Sequence, residues 1–542
     1  MVILILAVFG TACTGGRKDA GRRVELAEDD GLLTPYNETL VVNVMRVNNT
    51  DIWFPEGESF NDNILTRFYK EKLNIEYNIK WLIERGQMSR QLDLAIAAGD
   101  LPDLFEVNVG QLYRLAAAGL IEPLTDYYDR YVTGEVKADY EYNNRTFLNM
   151  ATINGELYGV PQPDDFSGRI PLMYIRQDWL DRLGLAAPTN VEEFLAVCHA
   201  FVHLDPDGNG QNDTWAMAID NGLGASLDFI ANVFEHYPYG WDEFDGKLAW
   251  TDIQPSLLEP LNLLREMYAR GYIDPEFAVK DTARVAQDIA AGRVGILPGV
   301  FWNPMYQLQM SKTANPQAEW AVYPMLQNEQ GEYYKPISSI TNHRYLVVRK
   351  GFGNPEAAFK GQNLWRELWR GEYSDFFHMN NQQDYNMAQE NFKLYQPFWY
   401  DPPLKNYEVN IPLRAAWAAR DISLLTDQEA IKHFNNFVET VEGRARSLTG
   451  WSEMIIRLHS FEIIHRVYGG SDPSLYKFTR YAGPWSRVFA QRQPLVDQIR
   501  NEFIIRYIMD QDSDFDGYVV RWIQSGGQEL TDEVNAWYEA NN

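Results

Sequence analysis

The chain of 542 residues has two cysteines, Cys13 and Cys198, too few for a disulfide framework. It is also poor in basic residues. Lys and Arg number 48 against 75 Asp and Glu, giving a formal net charge of −27 and an isoelectric point near 4.7. That balance argues against nucleic acid, whose phosphates need Lys and Arg, and against an electrostatic grip on anionic lipid. Beyond the first residues no apolar run is long enough to span a bilayer. The motifs GxSxG, Walker A and GxGxxG are absent, which removes the best-marked hydrolase, P-loop and dinucleotide readings. His199 and His203 have the spacing of a zinc helix, but Ala200 stands where a catalytic Glu would be and no third ligand is evident.

Aromatics, by contrast, make up 14% of the chain, with 16 Trp and 31 Tyr. Flat amphipathic rings suit sugar faces, although large cores also take them. At this length the chain has room for two or more domains. Residues 2–9 are apolar, and Gly10, Thr11 and Ala12 are small. With Cys13 this reads as a lipoprotein signal over residues 1–13, in which Cys13 is acylated and anchors the chain outside the cytoplasm. Two departures are the lack of Lys or Arg before the apolar run and Gly10 where Leu is usual. Residues 14–38, rich in Gly, Asp and Arg, are expected to form a flexible tether reaching roughly 25–30 Å.

The sharpest chemistry lies at Asp205-Pro206-Asp207-Gly208-Asn209-Gly210-Gln211-Asn212-Asp213. Oxygen donors from Asp205, Asp207, Asn209, the Gln211 carbonyl and Asp213 fall at positions 1, 3, 5, 7 and 9 of an EF-hand-type loop, with Gly210 at its turn. Ala216 replaces the bidentate Glu of position 12, and no clear second helix follows. One structural Ca²⁺ is the expectation, against a solvated turn without metal.

From residue 40 the pattern is that of an α/β fold. Residues 40–47, 75–81 and 104–107 read as strands, separated by a helix capped at Ser59 and by a second helix ending at Gly99. That alternation implies parallel βαβ units. The pattern restarts at residues 172–175. A capping box at Thr189 and Glu192 opens the helix before the acidic loop. Further strands are expected at 292–298, 320–324 and 345–348, and mainly helix after about residue 355.

Five blocks carry a resemblance: Ala97-Ala98-Gly99-Asp100-Leu101-Pro102-Asp103, Asn154-Gly155-Glu156-Leu157-Tyr158-Gly159-Val160-Pro161, Tyr174-Ile175-Arg176-Gln177-Asp178-Trp179-Leu180, Gly292-Arg293-Val294-Gly295-Ile296, and the tail from Gly526-Gly527-Gln528 to Trp537-Tyr538. In that order they resemble the extracellular solute-binding proteins (family 1) of ABC importers, in particular the large lipoprotein branch that binds oligosaccharides. The resemblance implies a two-lobed periplasmic-binding-protein-like fold (type II) with a largely helical C-terminal part. It implies a monomer that closes on an oligosaccharide and hands it to permease subunits, with no chemical step. Lobe 1 is expected to hold residues 39–163 and 283–340, and lobe 2 residues 164–282 and 341–542. Hinge crossings are placed near Pro161, Lys280 and Ser339.

The resemblance also places Trp302, with Asn303, as a ring stacked on sugar. Asn48, Asn49, Trp53 and Asn108 follow strands that open at a cleft. Asp165, Phe166 and Arg169 follow the first crossing, and Arg169 could grip a uronate carboxylate. Asn221 with its glycine turn, the cluster Tyr237, Tyr239 and Trp241, and Trp399 with Tyr400 complete the candidates. Two other readings remain at this stage. A carbohydrate-active enzyme needs two positioned carboxylates, and a peptide-binding or signalling protein could use the same scaffold.

Overall fold

The computed structural model describes residues 22–27, 31–48, 54–84, 87–163, 165–337, 344–376, 396–397, 400–483 and 486–541. Cys13, Asn49, Trp53 and Trp399 lie outside them, as does the side chain of Asn48. The chain opens with β1 (Leu40–Asn48), β2 (Ile75–Glu84) and β3 (Leu104–Asn108), with β1 paired in parallel to both others. The helix Ile64–Leu73 between β1 and β2 is capped by Asn63, not by Ser59. The Asn63 carboxamide accepts from the N–H groups of Leu65 and Thr66 at 3.0 Å each, and the Thr66 hydroxyl accepts from the Asn63 N–H. A hairpin of β4 (Thr152–Ile153) and β5 (Glu156–Leu157) turns at Asn154 and Gly155, both at positive φ, as an Asn-Gly turn requires. The strand β6 (Val160–Pro161) follows.

A second set of elements then begins: β7 (Leu172–Arg176), β8 (Trp215–Met217), the hairpin β9 (Trp241–Phe244) and β10 (Lys247–Trp250), β11 (Val294–Gly299) and β12 (Trp320–Tyr323). The helix Val191–His203 is capped by Asn190, one residue beyond the expected Thr189, while Thr189 instead donates its N–H and hydroxyl to Glu193. Last comes β13 (Arg344–Val348). The strands form two main sheets, in the orders β2-β1-β3-β13-β6 and β12-β7-β11-β8.

This pairing corrects the expected division of the chain. β11 and β12 flank β7, so residues 283–340 do not join lobe 1. β13 lies antiparallel between β3 and β6, so it completes the first sheet. Lobe 1 is therefore built from the described residues within 22–161 and 344–400, and lobe 2 from residues 165–337 and the helices after Lys405, of which Lys405–Ala419 and Gln428–Val441 also share a small apolar cluster of their own. The chain crosses near residues 161–165, 324–343 and 400–405. Lys280 is not at a crossing; it is an ion-pair hub inside lobe 2, bound to Asp274 and Asp288. The first and last crossings run side by side: Phe166 N–H donates to Pro403 O (2.9 Å) and Asp401 N–H to Pro163 O (3.2 Å).

Each lobe has its own core. In lobe 1 the central strand β3 is buried over Leu104–Val107, while the edge strand β2 alternates buried Ile75, Tyr77 and Ile79 with exposed Glu76, Asn78 and Lys80; the helix Ala357–Arg370 brings Trp365 and Trp369 to this core. In lobe 2 the long helix Arg487–Ile508 and the tail Gln528–Asn541 supply Phe503, Ile504, Leu530 and Val534 to the same core as β7 and β11. Two glycines of the recognised blocks have packing reasons. A Cβ on Gly295 would stand 2.3 Å from Phe201 and 2.8 Å from Trp179, and one on Gly527 would stand 2.1 Å from Trp522. Cys198 is buried in this core, where burial pushes its thiol far up and leaves it inert.

From residue 22 onward, wherever it is described, the expected tether is docked on lobe 1; residues 14–21 lie outside the described residues. Tyr36 is buried in the lobe 1 core, and Leu26 bridges to it. Val24 N–H donates to Asn354 Oδ1 (2.9 Å), and Lys360 Nζ donates to the carbonyls of Gly31 and Leu32 at 3.2 and 3.1 Å. Arg23 lies 3.6 Å from Glu356, whose side chain is fully buried. A hydrophilic stretch is thus held by buried polar partners that lie more than 300 residues downstream. Removing residues 14–38 leaves Lys360 and Glu356 buried with fewer partners. We expect a loss of about 3 kcal/mol or more in denaturant unfolding. Removing residues 1–21 is expected to leave the curve unchanged, and coincident curves for the two truncations would disprove the docking.

Candidate functional site

A cavity of about 750 Å³ opens against lobe 2 and is faced from lobe 1 by Thr146 and Met150 of the helix Gly134–Ala151. Its size is that of a small-molecule pocket. Trp302 lies on its wall and is 44% exposed, high for a tryptophan. It sits just beyond β11, where Val300 N–H donates to Asn303 Oδ1 and Asn303 Nδ2 donates to Gln307 Oε1 (2.9 Å). These bonds fix the turn that presents the indole, so Asn303 acts on the wall through its neighbours as well as lining it.

The second wall is the loop Tyr237-Pro238-Tyr239-Gly240-Trp241, which leads into the hairpin β9–β10. Tyr239 has φ +61°, a strained conformation for a bulky residue. A buried network holds it there. Asp252, with no exposed surface, accepts from the Tyr239 N–H (3.2 Å) and from Arg500 Nε, and its Oδ1 lies 2.9 Å from His236 Nε2. Arg500 lies 3.6 Å above the Tyr239 ring, and the Tyr239 hydroxyl donates to Asn501 (2.9 Å). Trp241 packs edge-on to Trp250 at 5.4 Å, and Trp250 stacks on Trp522 at 6.4 Å. The wall is therefore held by residues of the C-terminal helices.

Each cation among the described cavity residues is paired with a carboxylate, and two further carboxylates have neutral partners. Arg169 grips Asp228 bidentately, Nε to Oδ2 at 2.9 Å and Nη2 to Oδ1 at 3.0 Å. Burial opposes its charge, but Asp228 outweighs burial and keeps the guanidinium above its ordinary pKa. Lys477 pairs with Asp242, and Arg480 reaches the same carboxylate at 3.3 Å. Asp220 accepts from Gly222 N–H (3.0 Å) and the Thr282 hydroxyl (2.6 Å). Asp497 accepts from Gln493 (2.8 Å), and burial raises its pKa.

The expected site residues separate cleanly. Trp302, Asn303, Arg169, Tyr237, Tyr239 and Trp241 meet at this cavity. Asn221 does not line it, although its neighbours Asp220, Leu223 and Gly224 do. Phe166 is fully buried, edge-on to Tyr407 and Tyr476, and Asp165 is buried as the cap of the turn Phe166–Arg169, with burial raising its pKa to about 6. Both brace the first crossing and stand away from the cavity wall. Asn108 caps the helix Val109–Ala117, accepting from Gln111 N–H at 2.8 Å. Tyr400 is buried in lobe 1, its hydroxyl on Asp139. The sequence reading missed Asp220, Asp228, Lys477, Phe478, Tyr481 and Asp497. The interleaving of aromatic and basic residues from Lys477 to Tyr481 was the one available signal.

The loop Asp205 to Asp213 is closed on itself, exposed from Gly208 to Asp213, with Asp205 and Asp207 half-buried and Pro206 buried. Asp205 Oδ1 accepts from Asn209 N–H (2.9 Å), Asp205 Oδ2 from Gly210 N–H (3.0 Å), and Asn209 Nδ2 donates to both Asp207 (2.8 Å) and Asp213 (3.2 Å). Partial burial, and then repulsion from Asp213 and Asp205, raise the pKa of Asp207. Hard oxygen donors that crowd one another suit a divalent cation chemically. Among the described residues, however, no three His, Cys, Asp or Glu side chains are grouped as a metal would need. His199 and His203 lie ring to ring at 4.6 Å, and the first hydrogen-bonds Tyr272 at 3.3 Å.

The family model described as bacterial extracellular solute-binding protein matches residues 53–360. Lipoprotein LipO of Bacillus subtilis (strain 168) is 22% identical over 475 residues, covering 86% of this chain and 87% of its own. The polygalacturonan/rhamnogalacturonan-binding protein YtcQ of the same organism is 28% identical over 233 residues, 42% of this chain and 45% of its own. Among solved structures, an EF-hand mutant of the S. pneumoniae ABC-transporter substrate-binding protein FusA, in complex with fructo-nystose, covers 93% of this chain and 100% of its own at 15% identity, with a TM-score of 0.59.

Asp252 is ionised below its usual range because Arg500 and His236 outweigh its burial. A depressed carboxyl stabilises the fold at pH above its unfolded value, about 4, and the contribution is lost as pH falls through that region. Asp252→Asn is expected to cost about 3–5 kcal/mol at neutral pH. The gap from the unaltered protein should narrow on acidification below about pH 4. A gap that does not depend on pH would disprove the charge account.

Proposed function

Because the chain belongs to the bacterial extracellular solute-binding proteins, we propose that it captures an oligosaccharide between its lobes and delivers it to the permease of an ABC importer. The observation that carries this reading is the interlobe cavity lined by a partly exposed Trp302 and by the braced loop of Tyr237, Tyr239 and Trp241. Aromatic faces cover the apolar C–H patches of a sugar, while Asp220, Asp497 and Arg169 supply acceptors and donors for its hydroxyls. Relatives named for fructooligosaccharide and for polygalacturonan/rhamnogalacturonan support the ligand class. Closure is a population shift: ligand that touches both lobes favours the closed form, which the permease then reads. The protein works outside the cytoplasm as a monomer, tied to the membrane by lipid on Cys13. It binds its ligand without altering it.

The loop Asp205 to Asp213 takes one Ca²⁺ in this reading. Asp205, Asp207, Asn209, the Gln211 carbonyl and Asp213 would hold it, and the ion would relieve the crowding of the three carboxylates. The role is structural, since the loop stands apart from the cavity residues. A structural neighbour described as an EF-hand mutant supports this.

Trp302→Ala is expected to weaken sugar binding by about 2 kcal/mol, roughly thirtyfold, without lowering the melting temperature. Unchanged affinity would remove Trp302 from the site. Ligand recovered after long incubation is expected to be intact by chromatography; cleaved product would mean a carbohydrate-active enzyme instead. EDTA is expected to lower the melting temperature and added Ca²⁺ to restore it, with saturable sugar binding retained. A melt indifferent to both would leave the loop a metal-free turn.

A further inference from the structure

The carbohydrate reading leaves open whether the ligand is neutral or carries uronate carboxylates. The walls of the cavity bear on this directly. The described lining residues include two cations, Arg169 and Lys477, and four carboxylates, Asp220, Asp228, Asp242 and Asp497. The charge of each cation is already met by a carboxylate. Asp228, whose side chain is 5% exposed, takes both the Nε and the Nη2 of Arg169 in one planar fork. Asp242 takes Lys477, and is further held by Arg480, whose Nη1 binds Glu243.

A uronate would therefore meet a wall with an excess of two negative charges. To take the Nε–Nη2 edge of Arg169 bidentately it would have to displace Asp228, which leaves that carboxylate buried and unpaired. The net charge of −27 adds long-range repulsion in the same direction. A hydroxyl meets the opposite situation. Asp220 and Asp497 each accept from neutral donors, Gly222, Thr282 and Gln493, and a carboxylate has room for about four hydrogen bonds.

We propose that this cavity selects neutral oligosaccharides and rejects uronates, with the Arg169–Asp228 pair as the specificity-determining element. This rests on the carbohydrate reading above. Arg169, which by residue type alone suits a uronate, is an internal counter-ion that cancels the one buried charge facing the ligand. Asp220 and Asp497 accept the ligand's hydroxyl protons.

The test is calorimetric titration of the chain from residue 22 onward with kestose, maltotetraose and α-1,4-galactotetraose, and with tetragalacturonate, which differs from the galactotetraose at C6 alone. At least one neutral sugar is expected to bind, with an affinity that stays flat as salt rises, because no net charge is brought together. Tetragalacturonate is expected to bind at least about tenfold more weakly than its neutral counterpart. Tetragalacturonate binding as tightly or more tightly overturns this inference and leaves the carbohydrate reading standing. Binding of no member of either set overturns both. As a second variant, Asp228→Asn, checked for an intact melt, frees the Arg169 fork. It is expected to raise tetragalacturonate affinity about tenfold or more, with a steep salt dependence that the unaltered protein lacks. A folded Asp228→Asn protein with unchanged uronate affinity overturns the role given to the pair.

Discussion

The binding wall depends on one buried carboxylate. Asp252 has no exposed surface, and an ion in such a place is costly unless it is paired and hydrogen-bonded. Here it is: Arg500 from the C-terminal part, His236 from the loop after the helix Gly224–Asn232 and the Tyr239 backbone all converge on it. Tyr518 adds a hydrogen bond to the Asp252 carbonyl at 3.0 Å. Because these partners come from segments about 250 residues apart, the network ties the aromatic loop to the C-terminal helices. It compensates the strained φ of Tyr239 and leaves little freedom to the rings on either side of it. A wall preorganised in this way loses less conformational entropy when it is covered.

The two lobes are joined differently from how they are built. Within each, the sheet and its covering helices share one apolar core, crossed by buried polar networks such as Asp252 with Arg500 in lobe 2 and Asn354 with Glu356 in lobe 1. Between them run three crossings, two of which are hydrogen-bonded neighbours at Pro163, Phe166, Asp401 and Pro403. Buried Asp165 caps the turn at that point and also accepts from Asn406 N–H at 3.0 Å, so one side chain links both crossings. A paired connection of this kind bends as a unit, which suits rigid-body closure of one lobe on the other. The helix Gly134–Ala151 lies at the same boundary, with Phe147 in one core and Leu148 in the other. In the proposed function, ligand contacts from both sides of the boundary are what shift the balance towards the closed form.

Local patterns in the sequence located most of the strands and helices. Residues 40–47, 75–81 and 172–175 alternate or run apolar over strand lengths, and Gly99 and Gly184 end their helices at positive φ. Trp302 and the cluster at Tyr237, Tyr239 and Trp241 could be singled out because aromatic rings in Gly- and Pro-marked loops have few other uses. Errors of one to four residues, at Ser59 against Asn63 and Thr189 against Asn190, arose where several capping side chains compete and geometry chooses among them. Larger errors concerned long-range partners. A strand's own residues do not say which sheet it will enter, so β11, β12 and β13 were divided wrongly between the lobes. Gly, Asp and Arg in residues 14–38 looked like a tether, because Asn354, Glu356 and Lys360, which hold the second half of it, lie far along the chain.

What the sequence determined by itself is the α/β character, the family, the acidic loop and the aromatic candidates. These depend on local periodicity, turn chemistry and blocks of contiguous residues. The tertiary structure decided which candidates share a cavity, which charges are cancelled and where the lobes divide. Those outcomes depend on pairing across hundreds of residues. Arg169 shows the difference most clearly. Its residue type and position allow it to bind an acid, but Asp228, 59 residues further on, takes its Nε and Nη2 and cancels its charge. A charge acts on its surroundings according to what lies within a few ångströms of it, and that distance is set by the fold.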